Sequence, residues 1–197
     1  MEAGLVKTGS YHNRVQPESL NTYALVACPD TVVRAQLAAE KEYMQTTYDA
    51  GTAAGGCIML AHFTAREDME ATLIRWMHRI ISAQKSFRVH LNRYGGVPPH
   101  SIYLGIEDHS PFRQLATEMQ VVEQYIRSYG NAEVKLISQP FLPLITHLPE
   151  PVYQRITADY ADRHFHAFFE IKELVLLRRS HDYDGCRQVN LFGLQPA

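Results

Sequence analysis

The stretch LAHFT (residues 60–64) decides how this sequence is interpreted, together with the similar stretch LPLIT (residues 142–146) that follows 82 positions later. Both look like the ends of apolar strands, on which a His-x-Thr pair could sit. Side chains two residues apart on a strand point to the same side of the sheet, so His62 and Thr64 are expected to present an imidazole and a hydroxyl together.

The second stretch repeats only part of this pattern. Thr146 takes the place of the threonine, but Leu144 stands where the 82-residue spacing predicts a histidine. His147 follows closely, although strand alternation puts it on the opposite face unless a bulge near Pro143 changes the alternation. The sequence therefore predicts one complete and one incomplete His-x-Thr pair.

Such pairs suit phosphodiester chemistry without a metal ion. A neutral imidazole removes a proton from water or a hydroxyl, and a second, protonated imidazole supplies one to the leaving oxygen. Threonine hydroxyls hydrogen-bond the phosphate oxygens. Leucine transfers no proton, and loss of one general acid or base typically lowers the rate by about 10²- to 10⁴-fold.

Composition limits the classes of protein and of partner. The 197 residues are 46% hydrophobic and 20% charged, as in an ordinary globular chain. We expect a polar N-terminal leader at 1–20 and one bilobal domain at 21–197. A net charge of −2 gives no electrostatic basis for binding duplex DNA.

Cysteine content and hydropathy bear on the compartment. Three cysteines, Cys28, Cys57 and Cys186, are too few for a disulfide framework, so we expect three free thiols. Neither a signal peptide nor a run of about 20 apolar residues is present, so no membrane contact is expected. Together these features predict a cytoplasmic protein.

Hydrophobic periodicity predicts alternating strands and helices. The clearest helix covers residues 68–82, where Met69, Leu73, Met77 and Ile80 form one apolar face. The other predicted helices are 31–47, with Asp30 or Thr31 as its cap, 111–129 and 151–162. Strands are expected at 23–28, 57–61, 87–92, 101–106, 134–137, 141–148, 167–177 and 189–194. The order indicates an α+β fold whose two halves resemble each other.

Several other side chains are weaker candidates for a site. His164 and His166 have a spacing that can bind zinc, but no third ligand is evident, which favours surface histidines over a metal site. Tyr103 and Phe63 are able to stack on a base, although core packing is the commoner role of such residues. The end of the predicted strand 167–177 offers a basic phosphate-binding rim or a simple exit to solvent, with Arg178, Arg179 and His181.

Taken together, these features resemble the two-histidine (2H) phosphoesterases, the superfamily of the 2′-5′ RNA ligase-like proteins and 2′,3′-cyclic phosphodiesterases. The resemblance rests on His62-Phe63-Thr64, the strand pair at 87–91 and 102–106, the second stretch at 141–148, and the closing strand at 168–177. It implies a bilobal α+β fold of pseudo-duplicated sheets with helices outside and a central cleft.

The resemblance also implies a function and roles for four residues. His62 would be the acid or base, Thr64 and Thr146 would bind phosphate, and His147 is a possible substitute for the missing histidine. The ligand would be a nucleotide or an RNA end with a 2′,3′-cyclic phosphate, handled without metal or cofactor. Because Leu144 stands at the expected histidine position, the alternatives are a catalytically impaired binding protein and, less favoured, a scaffold with a vestigial cleft.

Overall fold

Two antiparallel sheets of five strands each organise the chain in a computed structural model that describes residues 20–49, 52–97, 100–130, 132–180 and 185–197. Nearly all of the expected leader at 1–20 lies outside these residues. Sheet A has the strand order β10-β9-β1-β3-β6 and sheet B the order β2-β7-β5-β4-β8. The predicted α+β architecture with two similar sheets is confirmed. The strands of sheet A are β1 (Leu20–Ala27), β3 (Ile58–Arg66), β6 (Val134–Leu136), β9 (Glu173–Arg179) and β10 (Arg187–Gly193); those of sheet B are β2 (Thr52–Ala53), β4 (Phe87–Val97), β5 (Ser101–Ile106), β7 (Leu142–Thr146) and β8 (His164–Ile171).

The helices cover one face of each sheet. The Asp30 carboxylate caps the first helix by accepting a hydrogen bond from the amide of Val33 at 2.9 Å, as predicted. The helix expected at 111–129 is interrupted at Met119 and forms two shorter helices. The first and last helices contact sheet B, and the three between them contact sheet A. These helices are α1 (Thr31–Tyr48), α2 (Glu70–Ile81), α3 (Ser110–Glu118), α4 (Gln120–Arg127) and α5 (Glu150–Asp159).

The long apolar strand predicted at 167–177 is two strands that serve different sheets. β8 pairs with β4 in sheet B, and after Lys172 the chain continues as β9, which pairs with β1 in sheet A. The buried side chains change from odd to even positions at this point: Phe169 and Ile171 are buried in β8, and Leu174 and Leu176 in β9. One continuous segment therefore joins the two lobes.

The expectation of three free thiols is wrong. Cys28, just after β1, and Cys57, just before β3, form a disulfide bond. Their position follows from the register, because the adjacent residues Ala27 and Ile58 are direct partners in the antiparallel pair of β1 and β3. Only Cys186 is free among the described residues, and it is exposed.

Each sheet keeps one open face with half-exposed side chains, opposite the face that packs on its helices. In β3 the side chains of Phe63 and Ala65 are buried, whereas those of His62 and Thr64 alternate with them on the open face. No helix in the described part of the chain is long and apolar enough to cross a membrane. The open faces are therefore the surfaces on which a site has to be sought.

Candidate functional site

A bulge in each half establishes which residues of the two lobes correspond. In β3, Leu60 is an extra residue, because Leu25 and Val26 of β1 are opposite Ala61 and Met59. As a result the open face of β3 continues from Met59 to His62, and the two residues between them, Leu60 and Ala61, are both buried.

β7 has the same irregularity at Leu144, since Ile102 and Tyr103 of β5 are opposite Ile145 and Pro143. Here too the two central residues are buried, and Pro143 and Thr146 remain half-exposed. The carbonyl oxygens of the extra residues are used alike: that of Leu60 accepts from the amide of Ile137, and that of Leu144 accepts from the amide of Ala54, both at 2.9 Å.

This correspondence corrects the 82-residue spacing. Leu144 is equivalent to Leu60, and Thr146 is equivalent to His62, an offset of 84 positions. The expectation that the side chain at position 144 faces the open side of the sheet is wrong, because Leu144 is fully buried in the core. The bulge considered near Pro143 does exist, and it is what moves Leu144 from the open face to the core.

His62 lies on the open face of sheet A beside a lysine. In the register of β3 and β6 it is directly opposite Lys135, and on its other side it is opposite Ala24 of β1. Such cross-strand partners have Cβ atoms about 4.5–5.5 Å apart. Among the described residues neither His62 nor Lys135 has a hydrogen-bond or ion-pair partner, so both polar ends are available to a ligand.

Thr64 follows His62 on the same face. Its hydroxyl oxygen accepts a hydrogen bond from the amide of Glu133 at 3.2 Å, which leaves the hydroxyl proton free to donate. In the neighbouring strand β1, Thr22 is opposite Thr64, and in β9 Arg179 is opposite Thr22. We call His62, Thr64, Lys135, Thr22 and Arg179 the sheet A polar patch.

Thr146 and His147 form a second polar pair, in sheet B. The Thr146 hydroxyl donates to the carbonyl oxygen of Thr52 at 3.4 Å, and Nδ1 of His147 lies 3.1 Å from the same hydroxyl oxygen. Nδ1 of His147 is thus held by the Thr146 hydroxyl, and Nε2 has no hydrogen-bond partner among the described residues. His147 ends the strand with a φ of +59° and is exposed.

The chain runs from the first strand of the candidate site to the second through β6. After Leu136, which is opposite Ala61, the amide of Ile137 donates to the carbonyl oxygen of Leu60, and the chain then enters β7 at Leu142. β3 and β7 approach each other at the junction of the sheets. No hydrogen bond or ion pair joins His62 and Thr146 among the described residues.

The junction itself has apolar and aromatic side chains. Met59 in β3 is 40% exposed, and Phe141, just before β7, is 38% exposed. Pro143 in β7 is half-buried. The ring of Phe141 packs on Tyr103 of β5, with centroids 4.6 Å apart. The Tyr103 ring lies directly over Gly95, where any Cβ would clash with it. These side chains offer surfaces for stacking. Among Met59, Phe141, Pro143 and Tyr103, only Tyr103 has a group that can donate a proton.

The remaining predicted candidates divide between core and surface. Phe63 is buried and stacks on Tyr23 with ring centroids 5.2 Å apart, so it does not contact a ligand. Arg178 is also unavailable, because its guanidinium is bound to Glu67 and Glu70 at 3.3 and 2.9 Å. Burial, together with a hydrogen bond to Glu70, raises the pKa of Tyr23 in this network to about 12. His181 lies outside the described residues.

The two histidines of the predicted zinc alternative are both exposed. The rings of His164 and His166 stack with centroids 5.8 Å apart. No group of three or more potential metal-binding side chains occurs in the described ranges. The pair is therefore part of the open surface of β8.

Comparison with known proteins supports the fold. No family model and no curated protein matches the sequence. Apo E. coli LigT matches with a TM-score of 0.64 at 16% identity, over 90% of this chain and 99% of that chain. A structure described as a phosphoesterase matches with a TM-score of 0.64 at 15% identity (91% and 99%), and TT0787 of Thermus thermophilus with 0.65 at 16% (89% and 98%).

The chain therefore has the LigT-like phosphoesterase fold over nearly its whole length. LigT is a 2H phosphoesterase of the 2′-5′ RNA ligase family, so the predicted resemblance is confirmed at the level of the fold. LigT complexes with phosphate, 3′-AMP, ATP and NADP⁺ match this chain similarly, with TM-scores of 0.62 to 0.63.

Proposed function

We propose that this protein binds the phosphate end of a nucleotide or RNA, in particular a 2′,3′-cyclic phosphate, on the sheet A polar patch. The observation that carries the proposal is that His62 lies directly opposite Lys135 on an open sheet face, with Thr64 on the same face. Hydroxyl, ammonium and imidazole groups are the donors that a phosphate accepts. The proposed site needs neither a metal ion nor a cofactor.

The local balance of charge supports an anionic ligand. Lys135 is exposed and Arg179 is half-buried, and within the described part of the chain no salt bridge to a carboxylate neutralises either. These two cations, on β6 and β9, lie on the open face of sheet A and attract a phosphate even though the whole chain has a net charge of −2. The same net charge argues against binding of duplex DNA.

The known ligands of a neighbour with this fold support the class of ligand. E. coli LigT has been crystallised with phosphate, 3′-AMP, ATP and NADP⁺. All four contain phosphate, and three of them contain an adenine nucleotide. We carry over to this chain only their shared chemistry, a phosphate attached to a nucleoside.

Binding without turnover is the favoured form of this function. The two-histidine mechanism needs two imidazoles that reach one phosphate, one as base and one as acid. In this chain β3 carries His62, but β7 ends at Thr146 without a histidine, and His147 follows it as an exposed residue with a φ of +59°. This arrangement supports a binding protein over an efficient phosphodiesterase.

A phosphodiesterase remains the second candidate because of one observation. The Thr146–His147 pair stands at the structural equivalent of His62, and Nε2 of His147 has no hydrogen-bond partner among the described residues. Each lobe thus offers one imidazole beside one threonine. In that case His62 and His147 would be the acid and base, and Thr64 and Thr146 the phosphate ligands.

One experiment distinguishes these functions. Binding of 2′,3′-cyclic AMP to the full chain is measured by calorimetry, and phosphorus NMR of the same mixture detects any ring opening. We expect binding without hydrolysis, weakened about 10- to 150-fold in His62→Ala and in Lys135→Ala, since one lost charge-assisted hydrogen bond is worth about 1.5–3 kcal/mol. The controls are His78→Ala and Lys85→Ala, which remove exposed side chains of the same types away from the patch.

The outcomes separate the candidates. Hydrolysis that is abolished by His62→Ala or His147→Ala establishes the phosphodiesterase in place of the binding protein. Equal binding by wild type and both patch variants refutes the proposed site. Absence of binding and of hydrolysis refutes both functions and leaves the scaffold.

We propose the cytoplasm as the compartment, although the Cys28–Cys57 disulfide is the observation that opposes it. Disulfides are rare in cytosolic proteins of mesophiles and common in oxidising compartments. Cell fractionation decides the matter. Recovery of the protein with a cytosolic marker agrees with the cytoplasm, and recovery with a marker of an oxidising compartment contradicts it.

A further inference from the structure

The open face of sheet B ends in an exposed aromatic ring. Phe168 of β8 is 58% exposed, and β8 is the outer strand of the sheet. A phenylalanine that keeps more than half of its surface in water contributes little to the core, since Phe169 and Ile171 are the buried side chains of the same strand. Core packing therefore does not explain why a phenylalanine occupies position 168.

Two side chains of β4 hold this ring in place from one side. His90 is its direct cross-strand partner, and the two rings stack with centroids 5.7 Å apart and planes 30° apart. The Arg88 guanidinium carbon lies 5.2 Å from the Phe168 centroid, in a cation–π arrangement. Together the three side chains form an exposed cluster of flat groups in which the positive charge of Arg88 lies over the Phe168 ring.

The same open face carries further flat side chains. His166 and His164 continue along β8, two and four residues before Phe168, and their rings stack on each other at 5.8 Å. Nearer the junction, Tyr103 stacks on Phe141. Aromatic or imidazole rings therefore occur from the junction of the sheets to the outer strand of sheet B.

We propose that Phe168, with Arg88 and His90, is a base-stacking site for an unpaired nucleotide of an RNA strand whose phosphate end occupies the sheet A polar patch. Single-stranded RNA is recognised by stacking of unpaired bases on aromatic rings and guanidinium groups exposed on sheets. The inference rests on the proposed function, and it adds that the ligand is a strand rather than a free nucleotide.

The charges of the face fit this occupant. Arg88 is exposed, and its direct strand partner Glu170 is engaged by the hydroxyl of Ser86 at 2.6 Å and by Lys172 at 3.4 Å. These contacts hold the pKa of the Glu170 carboxyl below its usual range. The charge of Arg88 also contributes to this lowering of the pKa. Its guanidinium makes no ion pair among the described residues and lies over the Phe168 ring, where it can meet a phosphate of the strand.

The test compares a strand with its terminal nucleotide. Full-length protein is titrated with a short oligouridine that ends in a 2′,3′-cyclic phosphate, and separately with 2′,3′-cyclic UMP. Phe168→Ala is expected to weaken oligouridine binding about 5- to 150-fold, the effect of one lost base–aromatic stack, and to leave cyclic UMP binding unchanged. Phe168→Tyr keeps the ring and is expected to bind as wild type does.

The matched control is Tyr129→Ala, which removes a 57% exposed aromatic ring beyond α4, on the helix side of sheet A. Thermal unfolding of each variant shows that it is folded during the titration. Oligouridine binding that is unchanged in Phe168→Ala, or weakened equally in Tyr129→Ala, overturns the inference. So does a wild-type protein that binds cyclic UMP but gains nothing from the longer strand.

The variants His62→Ala and Phe168→Ala distinguish a failure of the proposed function from a failure of the inference. If His62→Ala leaves oligouridine binding intact while Phe168→Ala weakens it, the strand is bound without recognition of its end, and the proposed function fails alone. If His62→Ala weakens both ligands and Phe168→Ala weakens neither, the inference fails alone.

Discussion

The substitution Leu144→His tests the correspondence of the two lobes directly. If Leu144 occupied the place of a missing catalytic histidine, the substitution would restore a polar side chain to an open cleft. The structure instead buries this side chain completely at the bulge of β7. Removing the buried leucine costs about 1.5–3 kcal/mol of burial free energy. An imidazole without a hydrogen-bond partner in the core adds about 1–3 kcal/mol, so we expect a loss of roughly 3–6 kcal/mol.

The assay is urea unfolding at two pH values, with Thr146→His as the matched control. A histidine buried in its neutral form has a lowered pKa, so below about pH 6.5 the unfolded state binds more protons. The stability of Leu144→His should therefore fall by up to about 1.4 kcal/mol for each further pH unit of acidification, relative to wild type. Thr146→His, on the half-exposed position equivalent to His62, should change stability by less than about 1 kcal/mol. A Leu144→His protein that keeps wild-type stability and gains hydrolysis of cyclic nucleotides would refute the correspondence.

Three further predictions concern the fold. Burial and the hydrogen bond to Glu70 raise the pKa of Tyr23 to about 12. The stability that this phenol contributes is therefore complete below its unfolded pKa of about 10 and is lost as the pH rises from about 10 to about 12. Tyr23→Phe should remove this loss of stability at alkaline pH, as measured by urea unfolding at several pH values. Cys57→Ser opens a disulfide that spans 29 positions and should lower the free energy of unfolding by about 2–4 kcal/mol; wild-type protein with three reactive thiols before reduction would contradict this. Gly95→Ala forces the Tyr103 ring to move and should cost about 1–3 kcal/mol, whereas an unchanged unfolding midpoint would show that the ring is free to shift.

Regular periodicity made most of the fold predictable. The apolar face around Leu73 and Met77 gave α2 within two residues of its ends, because one stripe of a helix is buried against sheet A. The strand at 101–106 was predicted at its full length, since it alternates between buried and half-exposed side chains without interruption. A helix or strand can be found from sequence alone when its buried side chains keep one period and pack on one sheet.

The errors occur where the period changes inside an element. Leu60–Ala61 and Leu144–Ile145 are consecutive apolar pairs, and a sequence of apolar residues does not reveal which of them is the extra residue of a bulge. The change of sheets at Lys172 had a signal, because Phe169 and Ile171 are apolar at odd positions and Leu174 and Leu176 at even ones. Because most of the other residues at 167–177 are apolar, the run was predicted as one strand despite Glu170, Lys172 and Glu173. The disulfide was missed for a different reason, since it depends on the pairing of β1 with β3, a contact distant in sequence.

The two bulges also change what the candidate site is. With a correspondence of 82 positions, the second lobe would have lost a histidine and kept a threonine. With a correspondence of 84 positions, the open face of each strand carries an apolar residue followed by a polar one. These are Met59 and His62 in β3, and Pro143 and Thr146 in β7. A ligand that touches both lobes would therefore place its flat, apolar part at the junction and its charged part farther out on one sheet. A nucleotide has this division between base and phosphate, which is the physical reason for assigning its phosphate to the sheet A polar patch and its bases to the aromatic rings of sheet B.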